Sequence, residues 1–332
     1  AEELKIKGMT RRVEFHEITK AGVKRGVDNP RDLDKDLYDA QRCRRVLDRI
    51  VGYDVSSLVW KKLAFGLSAG RVQSVALRLI VDREREIEAF VPEEYWNIGA
   101  PLASKRDPRA VFQARLSSKN EKKFEVVDGV TAASVKADLT GATYTVAKIT
   151  KRETKRHPAP PYTTSKLQQD AVNRLSFGAK RTMQIAQGLY EGVELGKDLG
   201  GTVGLITYMR TDSTNVSSIA QNEAREFVSG KYGGDFLPAE PPVYKTKSAN
   251  AQEAHEAIRP TAVMREPEKI KEFLEPAMFK LYRLIWQRFV ASQMEAAVYD
   301  TLQVEVTGKT KEHEYLLRAS GSAVKFPGFM VV

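Results

Sequence analysis

The spacing of apolar positions changes several times along the chain. A short strand is predicted at 12–15, and helical periodicity then dominates the first ninety or so residues. The stretch 36–50 places Arg42, Arg45 and Arg49 on one helical face, with Leu47 and Ile50 on another. A turn at 66–70 opens a helix predicted from about 71 to 89. Its apolar stripe is Val72, Ala76, Leu79 and Ile80, and Pro92 follows it. From Tyr95 the period shortens to two, with predicted strands at 110–114, 124–127 and 144–149 separated by Gly- and Asp-containing turns. Basic residues at 151–157 and the prolines 158, 160 and 161 read as a stiff connection. Beyond it, Thr163, Thr164 or Ser165 can cap a helix carrying Leu167, Ala171, Val172 and Leu175, and a second helix runs to about Tyr190. An apolar strand is predicted at 203–207, helices at 217–228 and within 267–294, and β character returns at 298–306, 315–319 and 324–332. Two β stretches around a helical block predict one β unit built from two chain segments, with the helices inserted between them.

Composition narrows the class. The chain has 332 residues, 42% hydrophobic and 29% charged, enough for two or three folded domains. The single cysteine, Cys43, excludes an internal disulfide framework and a Cys-rich zinc site. No apolar run approaches the roughly 20 residues that span a bilayer, so a cytoplasmic protein is expected. A net charge of +10 suits a polyanionic partner and equally describes ordinary solvated surface. The chain opens on Ala1 and stops at Val332 within an apolar, strand-like run, so it reads as a piece of a longer protein.

Candidate chemistry is sparse outside one segment. Gly66-Leu67-Ser68-Ala69-Gly70 matches the G-x-S-x-G nucleophile elbow, but residues 60–65 are basic and helix-like where that motif needs a buried strand. A helix start offering backbone N–H groups, Ser68 and Arg71 to a phosphate fits better, and simple capping by Ser68 is the plainer alternative. His16, His157, His255 and His313 are widely spaced, so no metal site is expected, and no P-loop occurs. In 205–213 a tyrosine follows an apolar run and an arginine stands two residues on. A phenol with a pKa of ~10 needs a cation or base to become a nucleophile, and a fixed guanidinium also stabilises charge on phosphate oxygens. A strand-edge tyrosine beside a surface arginine is the plainer reading of that pair.

Ile206 to Ser213, ITYMRTDS, resembles the active-site signature of type IA DNA topoisomerases. Other blocks are similar in the same order: Arg44-Arg45 with Asp48, LSAGRVQSVA at 67–76, PYTTS at 161–165 leading into Leu167-Gln168-Gln169, and QEAHEAIRPT at 252–261. Met209 resembles the bacterial topoisomerase I branch. The resemblance implies an α+β multidomain fold of the open-toroid kind, enclosing a hole large enough for DNA. A mostly helical base lobe segment (1–93) with a single-strand groove and a helical domain bearing the tyrosine (157–292) would be joined by a discontinuous antiparallel β-rich arch or hinge (94–156 and 293–332). Tyr208 would attack a strand to give a 5′-phosphotyrosine, the other strand would pass, and the break would be resealed, relaxing negative supercoils. Arg210 would hold the scissile phosphate, with Asp212 and His255 in support. The DNA-binding set would be Arg44, Arg45, Asp48, Ser68, Gly70, Arg71, Gln73, Ser74, Thr163, Thr164, Ser165 and Arg259.

The family's Toprim domain carries a catalytic glutamate and a D-x-D-x-E cluster for Mg²⁺, and nothing in residues 1–20 matches it. Mg²⁺ is therefore expected for the whole protein and not in this chain, which alone would bind single-stranded DNA weakly and relax nothing. Expected partners are DNA, chiefly single-stranded, and the Toprim and C-terminal domains of the same protein, with no membrane and a monomeric state. A non-catalytic nucleic-acid-binding module and a serine hydrolase at Ser68 stand as alternatives.

Overall fold

The computed structural model describes residues 10–244 and 256–332, and the chain divides into two compact units. Of the described residues, the first comprises 10–12, 31–97 and 125–137, and the second comprises 13–30, 98–124, 138–244 and 256–332.

In the first unit, helix α2 spans Lys35–Lys62; the helix α1 before it, Lys20–Asp28, belongs to the second unit. Asp34 caps α2 by accepting from Leu37 N at 2.9 Å, and Lys61 and Lys62 occupy its last turn, where the helix dipole favours cations. The chain turns at Gly66, whose φ of +88° favours glycine, and enters α3, Arg71–Glu88. Ser56 on α2 fastens this turn, accepting from Ala69 N at 3.0 Å and donating to Ala69 O at 3.3 Å. The Trp60 indole donates to Leu67 O. The expected stripe on α3 forms, but Val72, Leu79 and Ile80 are all exposed. Helix α4, Gly129–Thr140, has no counterpart in the sequence expectations. Its Ala-, Val- and Thr-rich sequence carries no clear apolar stripe, and Asp128 starts it by accepting from both the N–H and the hydroxyl of Thr131.

The second unit is built on an antiparallel sheet. Its strands are β1 (Gly99–Ser104), β2 (Asp107–Lys119), β3 (Lys122–Lys123), β4 (Thr143–Arg156), β7 (Ala297–Lys309) and β8 (Glu314–Phe326). The order is β1-β2-β8-β7-β4, with β3 on β2, so residues from both sides of the helical block share one sheet. β4 and β7 pair from Thr143↔Lys309 to Arg156↔Ala297, and a bulge near Ala147 shifts their register. The basic residues 151–156 therefore finish a strand and are not a linker. The connection is confined to the prolines that follow.

Between β4 and β7 lie α5 (Thr164–Leu175), α6 (Ala179–Glu191), the short pair β5 (Val193–Glu194) and β6 (Thr202–Val203), α7 (Ser218–Tyr232) and α8 (Pro276–Ser292). They enclose the main core, with Leu167, Leu189, Ile206, Met209, Ile258, Tyr282, Ile285 and Phe289 among its buried members. The strand predicted at 203–207 is cut to two residues plus a bridge from Ile206 to Pro260. The predicted terminal strand at 324–332 splits. β8 ends at Phe326, and Gly328–Val331 form a 3₁₀ turn, entered at Gly328, whose φ of +49° and whose close approach to the Ala296 backbone, 2.6 Å from where a β-carbon would stand, both favour glycine. At the other end only Arg12 pairs, with Arg31, where a strand over 12–15 was predicted. Among the described residues no helix is long and apolar enough to cross a membrane.

Candidate active site around Tyr208

The segment from Leu205 to Ser213 has almost no regular secondary structure, and its order comes from hydrogen bonds to distant residues. Thr207 N donates to Arg259 O at 2.9 Å, and its buried hydroxyl donates to Ala257 O at 2.7 Å and accepts from Arg259 N at 3.0 Å. Tyr208 N donates to His16 O at 2.9 Å, and Gly204 N to Ile18 O at 3.1 Å. Gly204 fits where no other residue would, because its β-carbon would stand 2.6 Å from Tyr190 O. Thr164, at the start of α5, closes the other end. Its hydroxyl accepts from Thr211 N at 2.9 Å and donates to Met209 O at 2.7 Å, while its own N–H reaches Thr211 O at 2.9 Å.

This clamped backbone alternates. Met209, Thr211 and Ser213 are buried, while Tyr208, Arg210 and Asp212 are exposed, so the three expected active-site side chains emerge at every second position. Tyr208 is 37% exposed, and its ring lies edge-on to Tyr190 with centroids 5.2 Å apart. Burial, and secondarily the neighbouring Tyr208, push the Tyr190 phenol above its ordinary pKa, so Tyr190 stays protonated at neutral pH. Neither Tyr190 nor the 13–18 segment was signalled by sequence, since an aromatic on a helical stripe and a backbone carbonyl carry no motif.

The other expected residues are distributed as follows. Thr163 caps α5, accepting from Lys166 N, and its hydroxyl lies 3.3 Å from that of Ser165. Arg259, expected among the DNA ligands, lies inside the fold. It is 5% exposed, and its guanidinium donates to Glu256 at 2.7 Å, to Glu17 at 3.3 Å and to Pro260 O at 3.0 Å. With those donors engaged inside the fold, it holds the 256–260 segment against Glu17. Glu17 also receives Arg25 at 2.9 Å. His255 lies outside the described residues.

Arg44, Arg45, Asp48, Ser68, Gly70, Arg71, Gln73 and Ser74 belong to the first unit. Asp48 and Arg71 meet across α2 and α3 at 2.8 Å, and the guanidinium holds that carboxyl below its usual range. Arg44 and Arg45 are exposed one turn before Asp48. Gly70 caps α3 without a side chain, and Ser68 donates to Gln73 at 3.3 Å, so Ser68 is not the cap. Ser74 N makes the first helical bond, to Gly70 O at 2.8 Å. The residues before Ser68 end helix α2, so the strand a nucleophile elbow requires is absent there. Among the described residues no three His, Cys, Asp or Glu side chains gather as metal ligands.

An antiparallel sheet with a helical block inserted between two of its strands, presenting tyrosine, arginine and aspartate from one clamped segment, defines the class of protein. The family model for DNA topoisomerase matches residues 32–332, and the chain belongs to that family. Full-length topoisomerase I from Thermotoga maritima is similar over 97% of this chain, with 37% identity and a TM-score of 0.78. The chain spans 50% of that protein's length.

Proposed function

We propose that this chain is the nucleophile-bearing part of a type IA DNA topoisomerase of the topoisomerase I branch. The observation that carries the proposal is the outward alternation of Tyr208, Arg210 and Asp212 on a backbone fixed at both ends. Tyr208 Oη attacks a phosphorus of a bound single strand and forms a 5′-phosphotyrosine bond. The bond to the 3′-oxygen breaks, the phenol gives up its proton, and the leaving oxygen gains one. Attack by that 3′-hydroxyl reverses the step after the other strand has passed. Arg210 presents a fork of donors to the non-bridging oxygens, where charge concentrates in the transition state. Asp212 orients its neighbours.

The acid and the Mg²⁺ are proposed for the Toprim domain of the whole protein. Arg44, Arg45, Arg71 and the α3 start would guide the strand. The three-part division into base lobe, β arch and tyrosine domain, a monomeric state and a cytoplasmic setting belong to the same proposal.

A test in trans decides it. The chain is mixed with a separately prepared Toprim domain, Mg²⁺ and an end-labelled single strand. A denaturing gel should show a covalent adduct for the wild type and none for Tyr208→Phe, and the chain alone should relax no supercoils. Single-strand binding without an adduct in the complete mixture would favour the non-catalytic binding module.

A further inference from the structure

The stretch that carries Tyr208 is the middle one of three. On one side lies segment 16–18, whose His16 and Ile18 carbonyls accept from Tyr208 N at 2.9 Å and from Gly204 N at 3.1 Å. On the other lies segment 259–261, where Arg259 O accepts from Thr207 N at 2.9 Å and Thr261 N donates to Leu205 O at 2.9 Å. Bonds that alternate in this way hold an extended chain from both edges. Neither neighbour is part of a helix or a sheet strand, so Tyr208 stands only as firmly as the two are held to each other.

A buried ion pair joins the outer two. Glu17 Oε2 lies 3.3 Å from the Arg259 guanidinium, with both side chains almost closed to solvent. Glu17 Oε1 accepts from the Thr19 hydroxyl at 3.1 Å and from Arg25 at 2.9 Å, so the same carboxylate is tied to the start of α1. Gly22 on α1 leaves it room, since a β-carbon there would come within 2.7 Å of Glu17 Cγ. Arg259 in turn reaches Glu256 at 2.7 Å on its own side. Of these contacts, the Glu17–Arg259 pair is the one that crosses from one outer segment to the other. Charged hydrogen bonds in so dry a setting are strong and hold a fixed geometry.

We infer that Glu17 is a positioning residue for Tyr208. Its carboxylate binds segment 16–18 to segment 259–261 and so fixes the backbone from which the phenol acts. The inference rests on the role proposed for Tyr208, and one arm of its test reads the backbone without any cleavage.

In the chain alone, amide hydrogen exchange followed by mass spectrometry reads residues 204–208. Glu17→Gln removes the charge and keeps the size, and should speed exchange there about tenfold while α8 keeps its protection. Arg25→Ala removes a half-exposed partner of Glu17 that does not reach segment 259–261, and should leave exchange at 204–208 close to the parent's. In the complete mixture with the Toprim domain and Mg²⁺, Glu17→Gln should form adduct about fivefold more slowly at saturating single strand, with the half-saturating strand concentration unchanged. A smaller folded fraction would lower the amount of adduct and leave its rate constant alone, so the rate separates positioning from stability. Glu17→Asp keeps the charge, draws it back from Arg259 by one methylene, and serves if Glu17→Gln melts low. Unchanged exchange in the Glu17 variant overturns the inference whether or not the parent forms an adduct. Faster exchange with an unchanged adduct rate also overturns it. No adduct from the parent mixture fails the reading of Tyr208 as nucleophile, and faster exchange in Glu17→Gln then still supports the tie.

Discussion

Arg259 and Arg71 are both paired arginines, yet their surroundings give them different work. The Arg71–Asp48 pair is exposed on both sides, so water competes for it and the pair holds little energy. The Arg259 side chain is 6% exposed and its partner Glu17 10%, so removing the cation strands Glu256 and leaves Glu17 to Arg25 alone. Arg259→Ala should therefore cost about 3–5 kcal/mol, read as a lowered urea midpoint. Arg259→Lys should recover only part of that, because one ammonium cannot reproduce the fork. At this scale a signature residue is legible from sequence as important, while its task depends on burial. The two glutamates that neutralise Arg259 lie 242 and 3 residues away, and the distant one carried no signal.

At the scale of elements, Thr164 is both the first residue of α5 and the lock on the tyrosine segment. Thr164→Val keeps the shape and removes the hydroxyl, leaving Thr211 N and Met209 O without that partner. A loss of about 1–3 kcal/mol is expected by chemical denaturation, with a further fall in adduct yield in the trans assay. The helices α3, α5 and α6 were readable because caps, glycine turns and a 3.6-residue period agree over many turns. Helix α4 was not, since small residues such as Ala132, Ala133 and Ser134 fit several periods equally. The strand predicted at 203–207 failed for a different reason. Leu205 and Ile206 are fully buried in the helical domain's core, so apolar character there reports depth more than sheet pairing, of which only the Ile206–Pro260 bridge forms. The motif around Tyr208 was plain in the sequence. The devices that fix it, the His16 carbonyl and the edge of Tyr190, involve a backbone atom and an ordinary aromatic, and neither leaves a pattern.

Across the whole molecule, several tyrosines bury their hydroxyls. Burial pushes the Tyr162 and Tyr282 phenols well above their ordinary value, and Tyr244 up to about 12. Each keeps its proton in the fold after the unfolded chain has released it near pH ~10. The unfolded state then binds fewer protons, so stability should fall as pH rises from about 10 to 12, by at most about 1.4 kcal/mol per tyrosine per pH unit. Urea midpoints across that range, with tyrosinate absorbance near 295 nm as a second probe, check it; a flat stability profile there would contradict the burial described.

The peptide of Tyr208 is held from both sides, by His16 behind it and by Thr164 ahead, while its ring remains partly in solvent. In the proposed attack the swing of the phenol oxygen must then come from χ1, because that oxygen lies on the χ2 axis and χ2 only turns the ring about it. Fixing two torsions costs less than the roughly 1.5–2 kcal/mol that a long flexible side chain loses on being fixed. Tyr208 would therefore enter the proposed reaction with most of its disorder already removed, and the folding of a loop without helix or strand has removed it.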